Sequence, residues 1–261
     1  MCYHISQTKK DRDEISELFD YREVHLDEIP TFYHLNGFER KNVLVITQQD
    51  DTEIMQAVWS VAPPPELIEI EAGKQNPKYS SVSEYWTSKN YYGKPLGGSV
   101  LNTVSENLFT EKVARWKSDA MIQQKCVVLA TGFFEPHKHK GNSYPHFVKS
   151  TEHEMFGFCG YYTVQDDDIL TCSILTIEAN EQMKQIHNTP TKNGYRMPMT
   201  IPPEDIDYYF KLNTADALRA EFSEYRSLNY ENYTVSQDIN SSKVQSNRRD
   251  ILDEVHYPGL I

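Results

Sequence analysis

Short apolar runs separated by turn-like clusters dominate the chain. VLVIT at 43–47 and the apolar-rich IMQAVWSV at 54–61 predict strands, with Pro63-Pro64-Pro65 ending the second. Asp11 to Phe19 predicts a short helix with Ile15, Leu18 and Phe19 on one face. Residues 66–94 are polar and aromatic without a clear period, and read as an irregular crossing or an insertion. Ser105 opens a second helical pattern, carried by Leu108, Val113 and Trp116 to about Ala120, and is a candidate cap for it. Strand signals then follow one another at 126–135, 146–150, 156–164 and 170–179, broken by HKGN and QDDD, the spacing of an antiparallel meander. A short helix at 180–188 and two helical stretches near 204–211 and 215–222 follow, and from about Asn240 the chain reads as a polar, peripheral tail. With no internal repeat and no long linker, the pattern predicts one α+β unit with a strand-rich core.

Composition narrows the class. Of 261 residues, 39% are hydrophobic and 25% charged, too polar for a membrane protein and too rich in Tyr, Phe and branched aliphatics for disorder. No apolar run approaches the ~20 residues that span a bilayer, and the start lacks the apolar core of a signal peptide. A cytoplasmic location and no membrane partner are expected. Four cysteines without a C-x-x-C pair make neither a disulfide framework nor a zinc site, so no metal and no cofactor are expected. The net charge of −12 argues against a general nucleic-acid coat, since phosphate neutralisation by Lys and Arg supplies most non-specific affinity. The charge is uneven, however. Residues 112–149 carry seven basic residues against Asp119 and Glu135, which reads either as a docking surface for a polyanion or as a solvated helix face followed by a basic hairpin.

Four residues are candidates for chemistry. Cytosolic processing removes Met1 before a small residue, so the mature chain would begin at Cys2, with a free α-amine and a thiol on one residue. Their ordinary pKa values, about 7.7–8.0 and about 8.5, leave both nucleophiles partly available at neutral pH. The amine can attack an aldehyde to give an imine that the thiol closes into a thiazolidine, or the thiol can attack an acyl carbon. An arbitrary residue at a frayed end is the plain alternative. Glu135 ends an apolar strand behind two phenylalanines, where partial burial would raise its pKa towards proton transfer; an ordinary strand-end carboxylate is the alternative. His187 closes a helix, as a proton-transfer group or a capping residue. Asn102 precedes a helical pattern, as a turn residue or as an amide that orients a substrate.

Taken together, an initial Met-Cys, Asn102 to Glu106 as N-x-x-x-E, Gly132 to Glu135 as G-F-F-E, and a His followed by Arg196-Met197-Pro198 resemble the SRAP (SOS-response-associated peptidase) family over most of residues 1–201. Trp59-Ser60-Val61-Ala62-Pro63 is similar to that family's W-G-L-I-P segment. The resemblance implies a barrel-like antiparallel sheet with short peripheral helices, a catalytic domain over 1–235 and a polar tail over 236–261. It also implies a monomeric sensor of abasic sites in single-stranded DNA that crosslinks itself to the ring-opened sugar aldehyde, with possible lyase activity. Cys2 would supply amine and thiol, Glu135 would shuttle protons, His187 would assist opening of the sugar ring, and Asn102 would hold the terminus and the sugar. The family usually has Arg at position four, Arg inside the N-x-x-x-E motif and Trp after the Glu; here His4, Val104 and Pro136 stand there, and eight residues separate His187 from Arg196. Arg196, Lys125, Lys138 and Lys140 are the candidate phosphate partners, and Trp59, Phe133 and Phe134 are base-stacking surfaces or core. Two rivals stay open: an N-terminal-cysteine peptidase or amidohydrolase, and a non-enzymatic single-stranded DNA binder.

Overall fold

The computed structural model describes residues 2–66, 101–241 and 243–260, and within them thirteen strands fall into two sheets. The first sheet is antiparallel throughout, in the order β13 (Tyr230–Thr234), β8 (Asn142–Ser150), β7 (Gly132–His139), β1 (His4–Gln7), β2 (Phe32–Asn36). The second contains β3 (Asn42–Thr47), β4 (Ile54–Trp59), β5 (Asn102–Val104), β6 (Lys125–Ala130), β9 (Phe156–Val164), β10 (Leu170–Glu178), β11 (Arg196–Pro198) and β12 (Thr200–Ile201). Here β10 pairs with β4 on one side and β9 on the other, while β9, β6, β3 and β4 pair in turn, so five strands close into a ring. Closure satisfies backbone groups that an open sheet would leave at its edges. The expected α+β class and barrel-like sheet are what the chain adopts, except that β10 runs parallel to β4 and to β5.

Several sequence expectations need correction. The apolar run at 126–135 is two strands, broken at Thr131, whose N–H donates to the Ser6 carbonyl (2.8 Å) where the chain leaves the ring for the other sheet. The four strands from 126 to 179 are therefore no single meander. β7 and β8 form a hairpin in one sheet, and β9 and β10 pair in the other. Ser105 starts only a 3₁₀ turn, Ser105–Asn107, and its hydroxyl bonds Glu106 rather than capping a helix; the helix itself spans Arg115–Gln123. The predicted helix after Asp11 is Arg12–Leu18, capped by the Asp11 carboxylate on the Glu14 N–H (3.0 Å). Residues 67–94 of the expected irregular segment lie outside the described residues.

The segment after β13 is polar in composition, yet it is not peripheral. Val235, Ile239 and Ile251 are buried with Phe134 and Phe147 in a second apolar cluster, beside the main core. Asn247 fixes the segment to the free edge of the first sheet, its Oδ1 accepting from the Tyr33 N–H (2.8 Å). Three apolar side chains spaced along a polar stretch give too weak a periodic signal to be read as core. Among the described residues, no helix is long and apolar enough to cross a membrane, and no group of three or more His, Cys, Asp or Glu is arranged to hold a metal ion.

Candidate functional site

β1 runs between β2 and β7, with Ile5 opposite Phe133 and Ser6 opposite Gly132, and this brings the amino-terminal residues beside the end of the G-F-F-E motif. Gly132 is required by close approach. A Cβ there would lie 2.4 Å from the Phe147 ring and 2.9 Å from the Val148 carbonyl oxygen. Alternation along β7 then sends Phe133 into the main core and Phe134 into the second cluster. Glu135 follows, 1% exposed.

His187 meets it from the other side. Its N–H caps the helix Glu181–Ile186 on the Met183 carbonyl (2.7 Å), and its ring Nδ1 lies 2.9 Å from Glu135 Oε2. The next residues of β7 hold that helix end. His137 Nδ1 donates to the Gln185 carbonyl (3.0 Å), and the Asn188 amide bonds both the N–H and the carbonyl of Lys138 (2.8 Å each). Strand and helix end are thus fixed to each other independently of the catalytic candidates.

Asn102, on β5, donates from Nδ2 to the Cys2 carbonyl (2.7 Å), and its buried Oδ1 has no partner among the described residues. Cys2 itself is fully buried. Burial first, and the Glu135 charge second, push its thiol well above the ordinary range, so the resting thiol holds its proton. At Glu135 the expected rise does not occur. Burial alone would raise its pKa, but the chain's amino-terminal charge and the His187 hydrogen bond outweigh it, and the carboxyl sits below its usual range. The structure therefore brings Cys2, Asn102, Glu135 and His187 into one neighbourhood. Tyr3, His4, Phe134, Glu135, Pro145 and His187, with Ile239 and Asn240 from the C-terminal segment, line a cavity of about 200 Å³ there.

The expected DNA contacts divide. Lys138 and Lys140 are exposed at the β7–β8 turn, which Lys140 and Gly141 form with positive φ of 46° and 83°. Lys125 is fully buried, its ammonium bonded to Gln48 Oε1 (3.0 Å) and the Ile122 carbonyl (2.9 Å), and burial brings its pKa down to about 8. Arg196 is 3% exposed and makes a bidentate pair with Glu106 (2.7 Å twice), besides a bond to the Thr176 carbonyl. The N-x-x-x-E and R-M-P motifs are joined by this ion pair, which occupies the guanidinium. Trp59 is buried with its indole N–H on the Leu101 carbonyl (3.0 Å), and Phe133 packs edge-on against Phe156, Phe158 and Tyr230. None of these four is placed to meet a phosphate or a base. Sequence reasoning missed His34 and the C-terminal wall of the cavity, and noted His4 only as a departure. No local motif marks them, because they meet only through pairing of β1 with β2 and return of the last segment.

Comparison with known proteins agrees with this architecture. A family model described as SOS response associated peptidase (SRAP) matches residues 1–242. A Bacillus subtilis relative named abasic site processing protein YoaM is 26% identical over 205 residues, covering 76% of this chain and 85% of the relative. Another, abasic site processing protein YoqW, is 27% identical over 158 residues, 58% of this chain and 66% of its own length. Among solved structures, a Bacteroides thetaiotaomicron protein superposes with a TM-score of 0.71 at 18% identity, covering 98% of this chain and all of its own. A Bordetella bronchiseptica protein gives 0.63 at 19%, covering 90% of this chain and 100% of its own. At such identities the two structures speak to the fold.

Proposed function

Because the chain belongs to the SOS response associated peptidase (SRAP) family, we propose that it recognises abasic sites in single-stranded DNA and links itself to them through Cys2 as the mature amino terminus. The observation that carries this reading is the shared neighbourhood of the four residues: Asn102 holds the Cys2 carbonyl, and Glu135, paired to His187, is close enough for its charge to act on the Cys2 thiol. The names of the Bacillus relatives support the substrate class.

In this mechanism the ring-opened deoxyribose offers an aldehyde. The Cys2 amine attacks it, the carbinolamine loses water to give an imine, and the thiol adds to the same carbon. The thiol is protonated at rest, so its addition needs a base, and the Glu135 carboxylate, held by His187, serves as that base. Ring closure puts a second bond on the carbon and makes the adduct longer-lived than a simple imine. His187 orients the carboxylate and assists sugar-ring opening. Incubation of the processed protein with an abasic oligonucleotide, followed by denaturing electrophoresis, tests the reading. Wild type should give a stable adduct and Cys2→Ala none. Cys2→Ser, which keeps the amine, should give an imine that hydride traps, and strand cleavage by β-elimination. A stable adduct with Cys2→Ala would overturn the assignment.

A further inference from the structure

The cavity beside Glu135 holds a second imidazole, and that one is the end of a chain of hydrogen bonds. His4 Nδ1 lies 2.8 Å from His34 Nε2, and His34 Nδ1 lies 2.6 Å from the Ser246 hydroxyl. The two rings stack at 5.0 Å with 19° between their planes, and Phe134 meets His34 edge-on at 5.3 Å. His34 is buried at 3% exposure, whereas His4 lines the cavity and Ser246 sits half-exposed on the C-terminal segment. Asn247 Oδ1 accepts from the Tyr33 N–H and holds that segment against β2. A buried imidazole with both nitrogens engaged thus joins a group in the cavity to a hydroxyl at the surface.

Such a chain has two neutral arrangements. In one, His4 Nδ1–H donates to His34 and His34 Nδ1–H to Ser246, which leaves His4 Nε2 an acceptor. In the other, Ser246 donates to His34 and His34 to His4, which makes His4 Nε2–H a donor. A proton entering at His4 Nε2, one moving along each link and one leaving the Ser246 hydroxyl convert the first arrangement into the second and leave both rings neutral. The surroundings favour neutrality. Burial first, then the nearness of His4, lower His34 to about 3, and burial lowers His4 against the opposing charges of Glu135 on β7 and Glu39 in the turn after β2. The groups facing His34 from the C-terminal segment, Ser246 and Asn247, are uncharged.

We propose that His4, His34 and Ser246 form a proton wire from the cavity to solvent, with His4 as an acid–base group for the Cys2 amine and His34 and Ser246 as positioning residues; this rests on the function proposed above. As the Cys2 ammonium N–H bond breaks, its proton goes to His4 Nε2, the Nδ1 proton passes to His34 Nε2, the His34 Nδ1 proton passes to Ser246, and the serine's own proton leaves to water. One proton enters and one leaves. The second arrangement then returns a proton from His4 Nε2–H to the carbinolamine hydroxyl, which departs as water, and the chain resets as Ser246 regains a proton from solvent.

Single-turnover crosslinking by the full chain to an abasic single-stranded oligonucleotide, from pH 5.5 to 8.5, tests the wire. Ser246→Ala should slow the reaction roughly tenfold, a fraction of the ~10²–10⁴-fold of a direct general acid–base group because the serine acts through His34 and His4, and change the shape of the pH profile, while Ser246→Thr, which keeps the hydroxyl, restores both. Ser246→Ala with lower thermal stability and an unaltered profile would overturn the proposal. Nitrogen-15 NMR of the histidines reads the wire without DNA: both rings should be neutral at pH 6, with tautomers that Ser246→Ala redistributes. A charged His34 at pH 6 would overturn the wire, whereas neutral, coupled rings in a wild type that forms no adduct would support it and defeat only the proposed function.

Discussion

Two opposing influences meet at Glu135. Burial favours the neutral acid, and the amino-terminal charge with the His187 hydrogen bond favours the carboxylate and prevails. Its folded pKa lies below the unfolded value of about 4.3, so its ionisation contributes stability that is fully present above that value and is lost as pH falls through the folded one. Glu135→Gln removes this dependence. The stability gap between wild type and variant, followed by urea denaturation, should be widest near neutral pH and shrink below about pH 4.3. A gap that stays constant down to pH 3 would mean the carboxylate is not preferentially stabilised in the fold. On the chemistry, Glu135→Gln should slow crosslinking per folded molecule at least about tenfold, with binding of undamaged single-stranded DNA nearly unchanged. Equal single-turnover rates would remove Glu135 from the mechanism.

The elements show which parts of the site a sequence can reveal. Glu135 stands out because it closes an apolar run, although β7 carries on past it to His139, His187 because it closes a capped helix, and Cys2 because of its position alone. Phosphate partners were not legible in the same way. A basic residue on a strand looks the same whether it faces solvent or, like Lys125, turns its ammonium onto Gln48 and a helix carbonyl. Arg196 reads as a free cation until β11 lies beside β10 and brings it to Glu106. The break at Thr131 was hidden because both halves of 126–135 are apolar, one lining the ring and the other the first sheet. Gly132 is where β7 packs tightly on its hairpin partner β8. Gly132→Ala would force Phe147 and the Val148 backbone aside, and should cost about 1–3 kcal/mol in urea denaturation, as overpacking does. It should also slow crosslinking by displacing Glu135, three residues on. Wild-type stability in this variant would mean that β7 and β8 yield without strain.

For the whole molecule, a net charge of −12 sets the terms of any meeting with DNA. With Arg196 and Lys125 committed internally, the expected phosphate partners that stay exposed are Lys138 and Lys140, at the end of β7 and in the turn after it. Encounter should therefore be weak and salt-sensitive, with crosslinking at subsaturating DNA falling as salt rises. Lys138→Glu with Lys140→Glu should slow it at low DNA concentration and much less at saturation; rates that stay flat with salt would show that phosphate contacts do not limit capture. The central claim is that one residue gives both bonds to the sugar carbon. Mass spectrometry of the peptide released from the adduct by protease and nuclease digestion tests it most directly. The account predicts a peptide beginning at Cys2, without Met1, that carries the deoxyribose remnant and resists both amine acylation and thiol alkylation. A remnant on a lysine, or on a Cys2 whose amine or thiol still reacts, would contradict it.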